Sequence, residues 1–219
     1  VAKDALRTVQ GMCEHFMRAA SKVEALRPLG QTGPSLLDEI SYLCAYVCRR
    51  LEWLNILAMK NNFDPINEDI VNTLGKMSIF FAKHNPEVAK LPLLFAERAG
   101  RAALAQNRDE LAIQYCCIIS EVTKALLVIA KEKRESRKEA VLAALQNLES
   151  LVTAIFQKNR EMNTVLLMQP FAEVAQLLGD QQFTDLIDRE EIVTELKRIL
   201  QSFGALDSVI TKLQPKSSM

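Results

Sequence analysis

Residues 35–58 read SLLDEISYLCAYVCRRLEWLNILA, and their spacing decides the fold. Leu37, Ile40, Cys44, Val47, Leu51, Leu54 and Ala58 recur at steps of three and four, which is one face of an α-helix. Tyr42, Tyr46, Arg49 and Trp53 form a second stripe with steps of four, three and four. An offset of two residues is about 200° around a helix, so the stripes lie nearly opposite one another. A helix that is apolar on two sides sits at the centre of a bundle, the commoner arrangement, or leaves one side for a partner. The second stripe suits a partner because Tyr, Trp and Arg are the residue types enriched at binding hot spots. Arg50 beside it can reach a partner carboxylate.

The same period runs outward in both directions. In 2–27 the apolar positions are Leu6, Val9, Cys13, Phe16, Ala20 and Val23. In 108–132 they are Leu111, Tyr115, Ile118, Val122, Leu126 and Ile129, and in 137–160 they are Val141, Leu145, Leu148, Val152 and Ile155. Helix starts are expected at Ser35, Asn67, Asn107, Ser136, Asn163 and Asp188, each a residue type that caps orphan backbone N–H groups. Breaks are expected at Pro28 to Pro34, at Asn61 to Pro65, at Asn85-Pro86, and at Gly179 and Gly204. Pro92 predicts a short turn at 87–90 with a helix from about 92, and Pro170 predicts a kink or a restart. A last amphipathic piece is expected from Leu206 to Leu213. The expectation is an all-α, up-and-down antiparallel multi-helix bundle of seven to nine helices, several about 24 residues long. One domain over 1–213 is expected, with two subdomains meeting near 107–135 as the alternative and a flexible tail at 214–219. A 34-residue helical-repeat period is not found, while a weak echo links 51–104 with 124–178.

Composition narrows the class further. The 219 residues are 49% hydrophobic and 25% charged, which suits a globular chain. Lys+Arg and Asp+Glu are both 27, so the chain lacks the net positive footprint of a nucleic-acid domain. Seven Gly and seven Pro are too few to supply the turns of an all-β fold. The start at Val1 without a signal pattern reads as a piece of a longer protein, and no run of about 18 uncharged apolar residues predicts a membrane span. Five cysteines without disulfide-like spacing read as buried free thiols in a cytoplasmic protein.

Few groups are placed for chemistry. His15 and His84 read as structural, and neither belongs to an HExxH or ExxH motif. Cys44 and Cys48 could hold two metal ligands on one helix face, but Cys44 lies in the apolar seam, where packing explains it. Glycine-rich phosphate loops, CxxC pairs and GxSxG elbows are absent from the sequence. The expectation is therefore a non-enzyme without metal or cofactor. The run Lys131 to Glu139 carries five basic and three acidic residues, which reads as a solvated hinge or as a contact for an acidic partner or anionic membrane. Leu166, Leu167, Met168 and Phe171 surround Pro170, and a proline-kinked apolar helix can leave a groove for a partner helix.

Helix length and heptads resemble the bundle modules of cytoskeletal and adhesion scaffolds of the vinculin and α-catenin group. Phe156-Gln-Lys-Asn-Arg160, followed by an apolar helix ending at Leu178-Gly179, is similar in order and spacing to the N-terminal helical domain of cyclase-associated proteins. That family's His-Thr-Thr-Gly segment is not found in this chain. Together these likenesses imply an actin-regulatory or adhesion-type bundle. The reading is a protein–protein interaction or scaffold module that binds a partner protein, through an amphipathic helix or peptide. Its expected contact residues are Tyr42, Tyr46, Arg49, Arg50, Trp53, Leu167, Met168 and Phe171. Self-association is open, and a domain that binds lipid or an apolar small ligand is the alternative.

Overall fold

A computed structural model describes the backbone of residues 2–26, 34–158 and 164–204. These residues form eight helices and one 3-10 turn, Gln181–Phe183. The helices are α1 (Ala2–Leu26), α2 (Pro34–Lys60), α3 (Asp64–His84), α4 (Pro86–Ala105), α5 (Asp109–Lys133), α6 (Lys138–Lys158), α7 (Thr164–Gly179) and α8 (Arg189–Ser202). The fold is an all-α helical bundle, and the described residues contain no strand. The piece expected at Leu206 to Leu213, the tail at 214–219 and the start at Asn163 lie outside the described residues.

The periodic positions became the core. Leu6, Cys13, Phe16 and Ala20 of α1 are buried, and so are Ile40, Cys44, Val47, Leu51, Leu54 and Ala58 of α2. All five expected seam residues of α6 are fully buried. In α5 the seam is wider than expected, because Ile119 and Leu127 are also buried while Ile118 is only half-buried.

Apart from α6 and α7, which barely meet, each described helix packs mainly against the next helix and the next but one. The helices therefore stand in two layers, α1·α3·α5·α7 and α2·α4·α6·α8. Polar bonds repeat this spacing. Arg98 of α4 pairs with Glu52 of α2 at 3.0 Å, and Arg198 of α8 pairs with Glu149 of α6 at 2.6 Å. Lys124 of α5 pairs with Glu173 of α7 at 2.7 Å, and Ser120 Oγ donates to the Pro170 carbonyl at 3.1 Å. Glu97, almost buried in α4, accepts from Arg101 and from Ser150 Oγ of α6, which leaves its charge paired.

Two connections share one turn. Residues 58–64 read AMKNNFD and residues 103–109 read ALAQNRD. In both, the Asn takes a left-handed conformation, with φ 56° at Asn62 and 58° at Asn107. The next residue's N–H then returns to the alanine carbonyl: Phe63 to Ala58 and Arg108 to Ala103, both at 2.9 Å. This is the Schellman-type closure of a helix end. Arg108 ties the turns together through Asp64, Asn62 and the Met59 carbonyl.

Several expected boundaries are corrected. Asn67 does not cap α3, which begins at Asp64 with Pro65 in its first turn, and Asn67 is buried inside it. Asn107 ends the turn after α4 rather than capping α5, because it is needed in the left-handed position. Pro92 does not delay α4: Asn85 Oδ1 accepts from Val88 N–H, and Pro86 starts one helix that runs through Pro92. Likewise α7 runs through Pro170 without a restart, and Gly179 ends it. Asp188 precedes α8 but gives no side-chain cap, since it is left-handed at φ 60°.

Helices α5 and α6 are long and apolar enough to cross a membrane by length and composition. Within those windows 56% of α5 and 44% of α6 are buried against neighbouring helices, as central helices of a stack require.

Close approach between α4 and α6 occurs at Gly100. A Cβ there would stand 2.6 Å from Leu151 Cδ2 and 2.9 Å from Cδ1, both buried, whereas a Cβ on Gly11 meets nothing within 4 Å. Gly to Ala in a helix gains roughly 0.5–1 kcal/mol, while overpacking costs typically about 1–3 kcal/mol. Chemical denaturation is therefore expected to show Gly11→Ala stabilised by up to about 1 kcal/mol and Gly100→Ala destabilised by about 1–2 kcal/mol.

Candidate functional site

Helix α2 turns its seam into the bundle and its second stripe to solvent. Tyr42 is 72% exposed and Trp53 is 56% exposed; Tyr46, Arg49 and Arg50 are exposed as well. The central placement of this stripe is therefore overturned. The reason lies in the layers: α2 packs against α1, α3 and α4, and among the described residues no helix covers the stripe.

The exposed surface is larger than the stripe. Leu43 and Leu57 of α2 and Phe63 of the following turn are exposed too. At its C-terminal end the face opens into an apolar pocket of about 400 Å³. Ala5 of α1, Trp53, Leu54, Leu57 and Ala58 of α2, and Phe63 and Ile66 line it. Sequence reasoning missed this pocket because it joins three helices, and Phe63 lies in a turn where helical period says nothing. Arg50 donates to the Tyr46 hydroxyl at 2.9 Å, and its guanidinium stands 4.9 Å from the Tyr46 ring centroid. That pairing restrains Tyr46 of the stripe and the neighbouring Arg50.

The second expected contact region does not survive. Leu167, Met168 and Phe171 are buried. Phe171 lies 6.0 Å from Phe203, and Pro170 is held against α5 by Ser120. These contacts close the groove that a proline kink would have opened. A smaller pocket beside Pro170 is lined by Ile113, Cys117, Ser120, Glu121, Gln169 and Glu173, and by none of those three side chains.

The basic run is largely engaged within the molecule. Lys131 sits 4.8 Å from the Phe183 ring centroid, and Lys133 donates to the Lys83 carbonyl at 2.8 Å. Arg134 is the left-handed residue that ends α5; Arg137 pairs with Glu135 at 2.9 Å, and Lys138 with Glu191 at 2.8 Å. These bonds join α5, α6 and their neighbours and withdraw support from an anionic partner there.

Cysteine chemistry is muted. Cys13, Cys44, Cys48 and Cys116 are buried, and only Cys117 is exposed, against the expectation that all five are buried. Burial, with neighbouring Cys44 next, pushes the Cys13 thiol up to about 12. A hydrogen bond with Cys44 and then burial hold Cys48 protonated. Cys117 is also raised above 9.0, by partial burial and then by Glu173 and Glu121. Among the described residues no group of three His, Cys, Asp or Glu is arranged to hold a metal.

No family model matches the chain, and no curated protein does. A de novo designed helical repeat protein of known crystal structure is similar in fold, with a TM-score of 0.57 and 17% sequence identity. The match covers 97% of this chain and 99% of that one. At this identity the likeness concerns the fold alone, and it agrees with the two-layer order of the helices.

A thiol-specific aromatic disulfide reagent is expected to label one cysteine of the native protein and five after denaturation. Because thiolate is the reactive form, and the Cys117 pKa lies above 9.0, native labelling should be slow at pH 7 and accelerate as pH rises through 9. Cys117→Ser should abolish it.

Proposed function

We propose that this chain is a non-catalytic protein-binding module and that the outer face of α2 is its docking surface. One observation carries the reading: Tyr42, Leu43, Tyr46, Trp53, Leu57 and Phe63 are all exposed and run along one helix into an apolar pocket. Aromatic residues with an adjacent pocket are the anchors around which interface energy concentrates. The occupant best suited to a helical face of this length is an amphipathic helix, whose apolar residues at i, i+3, i+4 and i+7 would meet the stripe.

A second reading, an apolar small ligand or lipid chain, draws on the pocket volume, which falls in the roughly 300–1,000 Å³ range of ligand sites. The pocket is a cleft flanked by exposed aromatics, and that setting suits an inserted side chain better than a sequestered molecule. Native mass spectrometry would separate the two, because a carried ligand adds mass without a second protein.

Trp53 is the chain's single tryptophan and is exposed, so its substitution should leave folding intact. In a quantitative lysate pull-down, Trp53→Ser and Tyr46→Ser are expected to lose a captured protein at least about tenfold. Circular dichroism should remain unchanged. An unchanged capture by the double variant would show that the partner docks elsewhere.

A further inference from the structure

We propose that the cleft between the starts of α3 and α5 binds a linear aliphatic polyamine, held by carboxylates on both walls and by the Asn67 amide. The site is separate from the outer face of α2 and shares no lining residue with the pocket there.

Helices α3 and α5 pack side by side in one layer. Their starts enclose a cleft of about 440 Å³. Asp64 and Glu68 of α3 line one wall, and Arg108 with Asp109 and Glu110 of α5 line the other. Two of the four carboxylates are already paired, Asp64 with Arg108 and Asp109 with Lys158. Glu68 and Glu110 form no ion pair among the described residues. Helix ends explain part of this pattern, because each N-terminus carries roughly half a positive charge and favours a carboxylate in its first turn. Glu110 lies in the first turn of α5, but Glu68 lies past the first turn of α3. The two ends together offset about one charge, so the cleft stays negative and repels an anion.

Asn67 supplies the second observation. It stands between Asp64 and Glu68 on the same face of α3, lines the cleft and is only 2% exposed. Neither its Oδ1 nor its Nδ2 has a hydrogen-bond partner in the protein. A buried amide without partners destabilises a fold, and packing does not require one here. After the related turn at 103–109, the matching position holds Ala112, which is fully buried. An amide kept at an acidic cleft offers an acceptor to an N–H group.

The kind of cation follows from the layout. A metal ion needs ligands that converge on one point, and among the described residues no three His, Cys, Asp or Glu do so. Carboxylates spread over two walls suit a cation whose charge is spread as well. A polyamine carries several ammonium groups along one chain, so separate nitrogens can reach Glu68, Glu110 and the Asn67 carbonyl, the first two through charge-assisted bonds. Its methylene segments suit Leu111, the apolar residue of the lining.

Isothermal titration calorimetry of the whole chain with spermidine tests this, at about 0.15 M salt to screen loose surface attraction. Saturable binding of one spermidine per chain is expected. Glu68→Gln with Glu110→Gln should weaken it at least about tenfold. Asn67→Ala, which copies the matching position, should weaken it too, with circular dichroism unchanged in both variants. Glu132→Gln with Glu139→Gln removes the same charge from the α5–α6 turn and should leave binding as in the wild type. Absence of saturable binding overturns the inference, and so does equal weakening by the α5–α6 pair. Full competition by magnesium chloride at equal charge also overturns it, because it shows a counterion atmosphere only. Tighter binding of a tetralysine peptide overturns the polyamine and assigns the cleft to a basic protein segment. None of these outcomes bears on capture through Trp53, so the α2 reading stands or falls separately.

Discussion

A helix in a two-layer stack has two flanks, and each flank needs a neighbour. Among the described residues, α4 has α2 and α6 and α5 has α3 and α7, while α2 packs mainly on α4 in its own layer. Burying apolar surface is worth roughly 25 cal/mol per Å², so an uncovered apolar flank is a standing source of association free energy. Stacked helical folds manage this by making their end helices polar on the outside. Helix α8 leaves polar residues exposed, Glu190 and Thr194 among them, whereas α2 leaves Tyr42, Leu43, Tyr46 and Trp53 exposed. The docking role proposed for α2 is argued from that exposed apolar face.

The rest of the molecule braces the helix that carries this face. Glu52 is held by Arg98; α4 is then held to α6 through Glu97, Arg101 and Ser150, and α6 to α8 through Glu149 and Arg198. The missing Cβ of Gly100 lets α4 and α6 approach closely around Leu151. A face carried on a braced helix loses little further freedom on binding, which reduces the entropic cost of association. The Arg50–Tyr46 contact extends that order to the side chains that would meet a partner.

Helical period made most of the core legible: every described seam residue of α2 and α6 is buried. Period reports the angle between two stripes and is silent on which one a neighbour covers, so the exposure of Tyr42 and Trp53 could not be read from it. Asn67 and Asn107 were misread for a related reason. Asn serves equally as an N-cap and as a left-handed C-terminal residue, and only the return bond from Arg108 to Ala103 decides the matter. The stacking repeat was hidden as well. Its plainest sequence trace is the pair AMKNNFD and ALAQNRD, offset by 45 residues, a spacing unlike the 34-residue period of tetratricopeptide-type repeats.

Charge density along the sequence does not mark where charge is free. The run Lys131 to Glu139 is the densest in the chain, yet four of its basic side chains have partners: Lys131 at Phe183, Lys133 at a carbonyl, Arg137 at Glu135 and Lys138 at Glu191. Arg49 and Arg50 are fewer, but neither forms an ion pair among the described residues. An engaged cation must give up its bond before it meets a ligand, so its net attraction for an anion is small. A cation without an ion pair, such as Arg49, or with a neutral hydroxyl and an aromatic face as its partners, such as Arg50, gives up less. It stands next to a surface whose burial lowers the local dielectric, which strengthens any charge pair formed there. The electrostatics and the apolar area on α2 therefore reinforce one another, whereas on the α5–α6 turn the charge is already balanced by the fold.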